Sequence, residues 1–136
     1  MKKILLSFAI GVTLVSCSKQ EPYQSIEYYD TLPVESVVMP TTFKVDSVSN
    51  ITLKYRKPTT CYVYQGLYYE KNGFTRTVAI NTINYEHGNC ITETQNLYET
   101  AVNFRPVASG TYTFKFWTGT STAGVDQFAT YQAIVP

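Results

Sequence analysis

Short runs of alternating apolar and polar side chains fill residues 34–135, and this alternation constrains the fold more than any other sequence feature. Successive side chains of a β-strand point to opposite faces, so a period of two predicts strands with one buried face. No segment carries the 3.6-residue apolar stripe of a helix. The predicted strands are 34–39, 42–45, 50–57, 62–70, 74–85, 97–104, 111–118 and 127–135.

This series of short strands predicts an all-β fold, an antiparallel two-sheet β-sandwich that forms a single domain in residues 34–136. In general plan it resembles an immunoglobulin-like or fibronectin-like domain. The single tryptophan, Trp117, follows both Cys61 and Cys90, so the Cys–Trp–Cys order of true immunoglobulin domains is absent. A small open β-barrel is the alternative that the pattern leaves open.

For one hairpin, the sequence also predicts which residues lie opposite each other. Asn72-Gly73 is a preferred pair for a two-residue type I′ turn, which sets Leu67 opposite Val78. Alternation then assigns one set of side chains to the core face: Cys61, Val63, Gln65, Leu67 and Tyr69. It also assigns Tyr62, Tyr64 and Tyr68 to the opposite face, and a slip of one residue would invert both assignments.

The tyrosine stripe Tyr62, Tyr64 and Tyr68 is the candidate binding surface of the sequence. Flat aromatic rings stack on sugars or anchor protein partners. The alternative is that these tyrosines are present because Tyr is a good strand former, and twelve tyrosines in the chain make chance stripes common.

Cys61 and Cys90 are predicted to form a disulfide, because the chain is expected to be exported and to mature in an oxidising compartment. The alternatives are two free thiols, or half of a metal site that includes His87, three residues before Cys90. A zinc site needs three or four strong ligands, and the chain has one histidine, so neither a metal nor another cofactor is expected.

The N-terminal residues predict export. Lys2 and Lys3 precede an apolar run, 4–15, which is too short to span a bilayer as a helix and is typical of a signal peptide. Its end, Leu14-Val15-Ser16-Cys17, resembles the lipobox of bacterial lipoproteins. The resemblance implies a signal peptide at residues 1–16 and a diacylglyceryl group on Cys17, whose acyl chains suffice for membrane anchoring.

Residues 17–33 are predicted to be the lipidated N-terminus and a polar tether. Ser18, rather than Asp, follows Cys17, and by the same resemblance this favours the outer membrane, with its periplasmic or surface face left open. With one cysteine lipidated and two in a disulfide, the mature protein is expected to have no free thiol.

Composition excludes some classes of function. Removal of Lys2 and Lys3 leaves nine basic and ten acidic residues, a net charge of −1, so no nucleic-acid partner is expected. An enzyme is not expected either, because the sequence has one histidine, no Gly-x-Ser-x-Gly motif and no phosphate-binding glycine loop. A pair of carboxylates that meet in space is left open, since no spacing singles out any of Glu70, Glu86, Glu93, Glu99 and Asp126.

Two tripeptides, Asp30-Thr31-Leu32 and Asp46-Ser47-Val48, resemble the acceptor pattern of a general bacterial O-glycosylation system. The resemblance implies Thr31 and Ser47 as glycosylation sites. The alternative is that Asp30 and Asp46 form Asx-type turns.

Together these features predict a lipid-anchored binding or interaction module of the cell envelope, whose partner is the membrane and an envelope protein or polysaccharide. The alternatives are a structural accessory subunit of an outer-membrane assembly, and a small enzyme or enzyme inhibitor.

Overall fold

The computed structural model describes residues 26–86 and 88–136, and all regular structure in them is β. Cys17, His87 and the predicted signal peptide lie outside the described residues. The strands are β1 (Ile26–Leu32), β2 (Ser36–Val38), β3 (Ser49–Arg56), β4 (Tyr62–Asn72), β5 (Thr75–Glu86), β6 (Leu97–Phe104), β7 (Gly110–Thr120) and β8 (Asp126–Val135).

The strands form two sheets, which confirms the predicted all-β sandwich. The larger sheet contains β4, β5, β1, β7 and β8, and the smaller has the order β2-β3-β6. β4 pairs along one edge of β5, while β1 and β7 pair with successive halves of its other edge. β5 and β7 run parallel, so the prediction that all strands pair antiparallel is wrong for this one pair.

β1 lies inside the segment 17–33 that was predicted to be a tether, so that boundary is wrong and the domain includes residues from Ile26 on. The chain then crosses between sheets just after Pro33. The amide of Val34 donates to the Trp117 carbonyl in the larger sheet at 2.9 Å, and that of Glu35 donates to the Lys54 carbonyl in the smaller sheet. These two hydrogen bonds link the larger sheet to the smaller sheet at one edge of the sandwich.

The core lies between the two sheets and is rich in aromatic side chains. Phe104 of the smaller sheet meets Phe114 and Tyr112 of the larger sheet edge-to-face, with ring centroids 4.9 and 5.0 Å apart. Such pairs contribute about 0.5–1.5 kcal/mol each beyond the burial of their area. Phe43 packs on Phe104 from a loop, because residues 42–45, predicted as a strand, bury that one ring without pairing in a sheet.

The predicted disulfide between Cys61 and Cys90 is present, with the two Cα atoms 5.4 Å apart. It closes the base of the β4–β5 hairpin, where the amide of Tyr85 donates to the carbonyl of Cys61 at 3.0 Å. The hairpin carries most of the residues considered below, so the disulfide fixes their position against the core.

Candidate functional site

The β4–β5 turn differs from the predicted one by a shift of register. Gly73 and Phe74, not Asn72 and Gly73, form the two-residue loop, so Asn72 lies opposite Thr75. Gly73 has a φ of 55°, which fits the first central position of a type II′ turn. Phe74 is placed by an edge-to-face contact with Tyr112, at 4.8 Å between centroids. The shift moves Tyr69, rather than Leu67, opposite Val78.

A shift by two residues does not by itself move a side chain to the other face, because the period of a strand is two. Leu67 and Tyr69 therefore pack against the core, as predicted. Tyr68, opposite Ala79, remains on the outer face of the sheet.

A β-bulge at Gln65 reverses the faces for the first part of β4. Tyr64 lies opposite Thr82 and Gly66 opposite Asn81, so Gln65 has no partner in the ladder. The prediction that Tyr62, Tyr64 and Tyr68 share one face is therefore wrong. Tyr62 and Tyr64 lie on the side of the smaller sheet, and Val63, predicted to face the core, is exposed.

Tyr62 and Tyr64 close the open side of the sandwich. The Tyr64 ring lies 6.3 Å from that of Tyr55, and its hydroxyl accepts a hydrogen bond from Thr100 at 2.9 Å. The Tyr62 hydroxyl donates to Asp30 at 3.2 Å, and burial followed by the nearby Asp30 carboxylate raises the pKa of Tyr62. These contacts join β4 to β1 and to the smaller sheet, and they favour the structural interpretation of both residues.

Tyr68 instead lines an open groove of about 460 Å³ on the outer face of the larger sheet. The groove crosses the sheet from β4 to β8. Its lining residues are Thr31, Tyr68, Glu70, Thr77, Ala79, Asn81, Trp117, Asp126 and Phe128. Its volume is in the usual range for small-molecule sites, about 300–1,000 Å³.

The two walls of the groove are held by hydrogen bonds between aromatic donors and carboxylates. Trp117 Nε1 donates to Asp126 Oδ1 at 2.9 Å. On the opposite wall, the Tyr68 hydroxyl donates to Glu70 Oε2 at 3.1 Å, and this bond raises the pKa of Tyr68. The orientation of each ring is thus coupled to that of one carboxylate.

A second depression of about 350 Å³ adjoins the groove, and the two share Thr31 and Asn81. It lies over Gly66, where an added Cβ would have no atom within 4 Å. The missing side chain thus extends the concave surface along β1.

Sequence reasoning missed Trp117 and Phe128, and it did not single out Glu70 or Asp126 among the carboxylates of the chain. One signal for Trp117 was available, because Tyr112, Phe114 and Phe116 alternate inward and place residue 117 on the polar face. A large aromatic side chain on the polar face of an amphipathic strand indicates a ring on the outer face of the sheet, where Trp117 is half-buried. No comparable signal marks β8, where apolar residues occur on both faces.

The two predicted glycosylation positions differ in access. Ser47 is exposed, next to a turn in which Asp46 has a φ of 61°. Thr31 is half-buried in β1, opposite Asn81, and lines the groove. Glycosylation of either residue stays a prediction, and intact mass spectrometry of the native protein would check it.

In the described residues, no group of three or more His, Cys, Asp and Glu side chains is placed to hold a metal ion. The same residues contain no helix long and apolar enough to cross a membrane. Comparison of the chain with protein-family models, curated proteins and solved structures finds no match.

Proposed function

We propose that this protein is a binding module of the cell envelope, held at the outer membrane by a lipid on Cys17, with its ligand in the outer-face groove. The observation that carries this proposal is the groove itself. It brings the aromatic rings of Tyr68, Trp117 and Phe128 and two carboxylates to one concave surface. Concave sites with apolar walls and a few oriented polar groups are the usual form of ligand sites.

The two carboxylates raise the question of catalysis, since glycoside hydrolysis uses a pair of them. Glu70 and Asp126 are both exposed, and each accepts a hydrogen bond from the aromatic side chain beside it. The general acid of such enzymes instead lies in a buried, apolar pocket. This environment supports binding over catalysis, and so supports the proposal that the protein is not an enzyme.

A second candidate function is that of a structural subunit, permanently bound in an outer-membrane assembly. The outer edge of β8 favours the structural subunit. β8 is an edge strand of ten residues and contains neither Lys nor Pro, which commonly protect such edges from pairing with another chain. Ile134, on the same strand, is 68% exposed. Unprotected edges of this length are sites for pairing with another chain.

Site-specific photocrosslinking in intact cells separates the two functions. A benzophenone amino acid at position 68 should give adducts that are lost when Phe128→Ala removes part of the groove. The same probe at position 28, an exposed tyrosine of β1 outside the groove lining, is the matched control. A single adduct of constant stoichiometry from position 134, with none from position 68, would support the structural subunit instead.

The membrane anchor is tested independently of the ligand. The wild-type protein should fractionate with the outer membrane, and Cys17→Ser should release it from the membrane. Thiol labelling of the denatured, non-reduced mature protein should find no reactive thiol. One reactive thiol would show that Cys17 is not lipidated or that Cys61 and Cys90 are not fully paired.

A further inference from the structure

We propose that the outer-face groove binds an uncharged oligosaccharide, with one sugar ring stacked on Trp117 and another against Tyr68. This inference rests on the proposed binding function and adds the chemical class of the ligand.

The two rings are placed to hold neighbouring parts of one chain-like ligand. Tyr68 is on β4 and Trp117 on β7, and β5 separates them, so their strands lie about 10 Å apart. Between them the floor is formed by short side chains, including Ala79 and Thr77, which leave space for a flat ring. Tyr68 is 46% exposed. Aromatic faces of this kind pack against the C–H faces of sugar rings, which are apolar although sugar edges are polar.

The polar groups of the groove suit a ligand rich in hydroxyl groups. Asp126 uses Oδ1 to hold Trp117, and Glu70 uses Oε2 to hold Tyr68. Among the described residues, the second oxygen of each carboxylate has no hydrogen bond or ion pair, and neither does the side-chain amide of Asn81. Ionised carboxylates only accept hydrogen bonds, and hydroxyl donors form short, strong bonds with them. The Asn81 amide can both donate and accept.

The charge of the lining excludes an anionic polymer as the best ligand. Of the residues that the structure describes, two carboxylates and no Lys or Arg line the groove. Lys115 lies beside it, over the Phe128 ring at 4.7 Å from the centroid, so one face of that ring is covered. We therefore assign stacking to Trp117 and Tyr68 and a lateral apolar contact to Phe128.

The geometry also favours an oligosaccharide over a peptide or a protein. β5, which forms the floor, is paired along both edges, so no peptide can bind there by strand addition. The groove, of about 460 Å³, is in the size range of small-ligand sites.

Trp117 provides a direct reporter, because it is the only tryptophan in the chain. The full-length, detergent-solubilised lipoprotein is titrated with uncharged hexasaccharides of β-linked glucose, α-linked glucose, mannose, xylose and galactose. An oligogalacturonate and a lysine-rich peptide represent the anionic and the peptide ligands. We expect a shift or quenching of Trp117 emission with at least one uncharged hexasaccharide. No change with any of them, or a change only with the anion or the peptide, overturns the inference.

Variants then place the binding in the groove. Tyr68→Ala and Asp126→Asn should each weaken binding of the active hexasaccharide at least tenfold, and the Asn side chain still offers Trp117 an acceptor oxygen. Tyr28→Ala, the same change at an exposed tyrosine outside the groove lining, should leave the affinity within twofold. Thermal unfolding of each variant confirms that it is folded. Affinity unchanged by Tyr68→Ala overturns the proposed stacking.

The outcome is separable from that of the proposed function. If position 68 crosslinks to an envelope protein in cells while no uncharged hexasaccharide alters Trp117 emission, the binding function stands and the sugar inference fails. If position 68 gives no adduct and no probe alters the emission, both fail.

Discussion

Removal of the Cys61–Cys90 disulfide should destabilise the domain by an amount that follows from its place in the chain. The bridged residues are 29 positions apart. In the chain-entropy model, opening a loop of this size adds about 12 cal/mol/K to the entropy of the unfolded state, or about 3.6 kcal/mol at 25 °C. For a domain of roughly 110 residues, about 4 °C is lost per kcal/mol, so the midpoint of thermal unfolding should fall by roughly 15 °C.

The assay compares Cys61→Ala/Cys90→Ala with the wild-type protein by thermal and urea unfolding, with and without reductant. Cys61 is 2% exposed, so its replacement also removes a buried sulfur atom. Reduction of the wild-type protein keeps that atom and isolates the effect of the cross-link. The reduced wild-type protein should lose most of the 15 °C, and the double variant should not respond to reductant. A loss below about 4 °C in both would refute the reasoning, because the unfolded chain would not gain the calculated entropy.

Two further perturbations test the turns and the polar contacts. Gly110→Ala should cost about 1–3 kcal/mol in urea unfolding, because φ is 141° and the new Cβ would lie 2.9 Å from Phe74. Gly119→Ala, at 125° with no atom within 4 Å, is the matched control, and an equal cost would refute a role for the Phe74 contact. Hydrogen bonds, of which the one from Tyr98 has the largest effect, lower the pKa of Glu93 in the folded protein. The contribution of Glu93 to stability is therefore present above its unfolded pKa and is lost as the pH falls through its folded pKa. Glu93→Gln should therefore reduce the loss of stability in acid, and an unchanged acid profile would contradict this.

The strand pattern could be predicted from the sequence because inward-facing side chains recur with a period of two. Ile51, Leu53 and Tyr55 are buried in β3, and the intervening residues are not. The same property made the face of Tyr68 insensitive to the error in the hairpin turn, since a shift of two residues preserves the face. The Cys61–Cys90 pair could be predicted because no other partner was available once Cys17 was assigned to the lipid.

β1 could not be predicted as a strand because its pattern lacks the required signal. Ile26 to Thr31 carry exposed or half-buried side chains, and Leu32 alone in the strand is buried. β1 is held by its ladder with β5, which leaves no trace in the local sequence. The groove escaped prediction for a related reason. Tyr68 and Trp117 lie on β4 and β7, which both pair with β5. β5 and β7 pair in parallel and are not joined by a tight turn, so no local turn sequence predicts their pairing.

The bulge at Gln65 explains how one strand serves two surfaces. In a regular strand, residues 62, 64, 66 and 68 share one face. The groove would then lose Tyr68 from its wall, or the side of the sandwich would lose Tyr64 from its contact with Tyr55. One extra residue directs Tyr64 toward Tyr55 of the smaller sheet and Tyr68 toward the groove. It also places Gly66 on the outer face, where the missing side chain keeps the second depression open. The shape of the proposed ligand site therefore depends on the residue left out of the ladder, which explains why strict alternation predicted the wrong tyrosine surface.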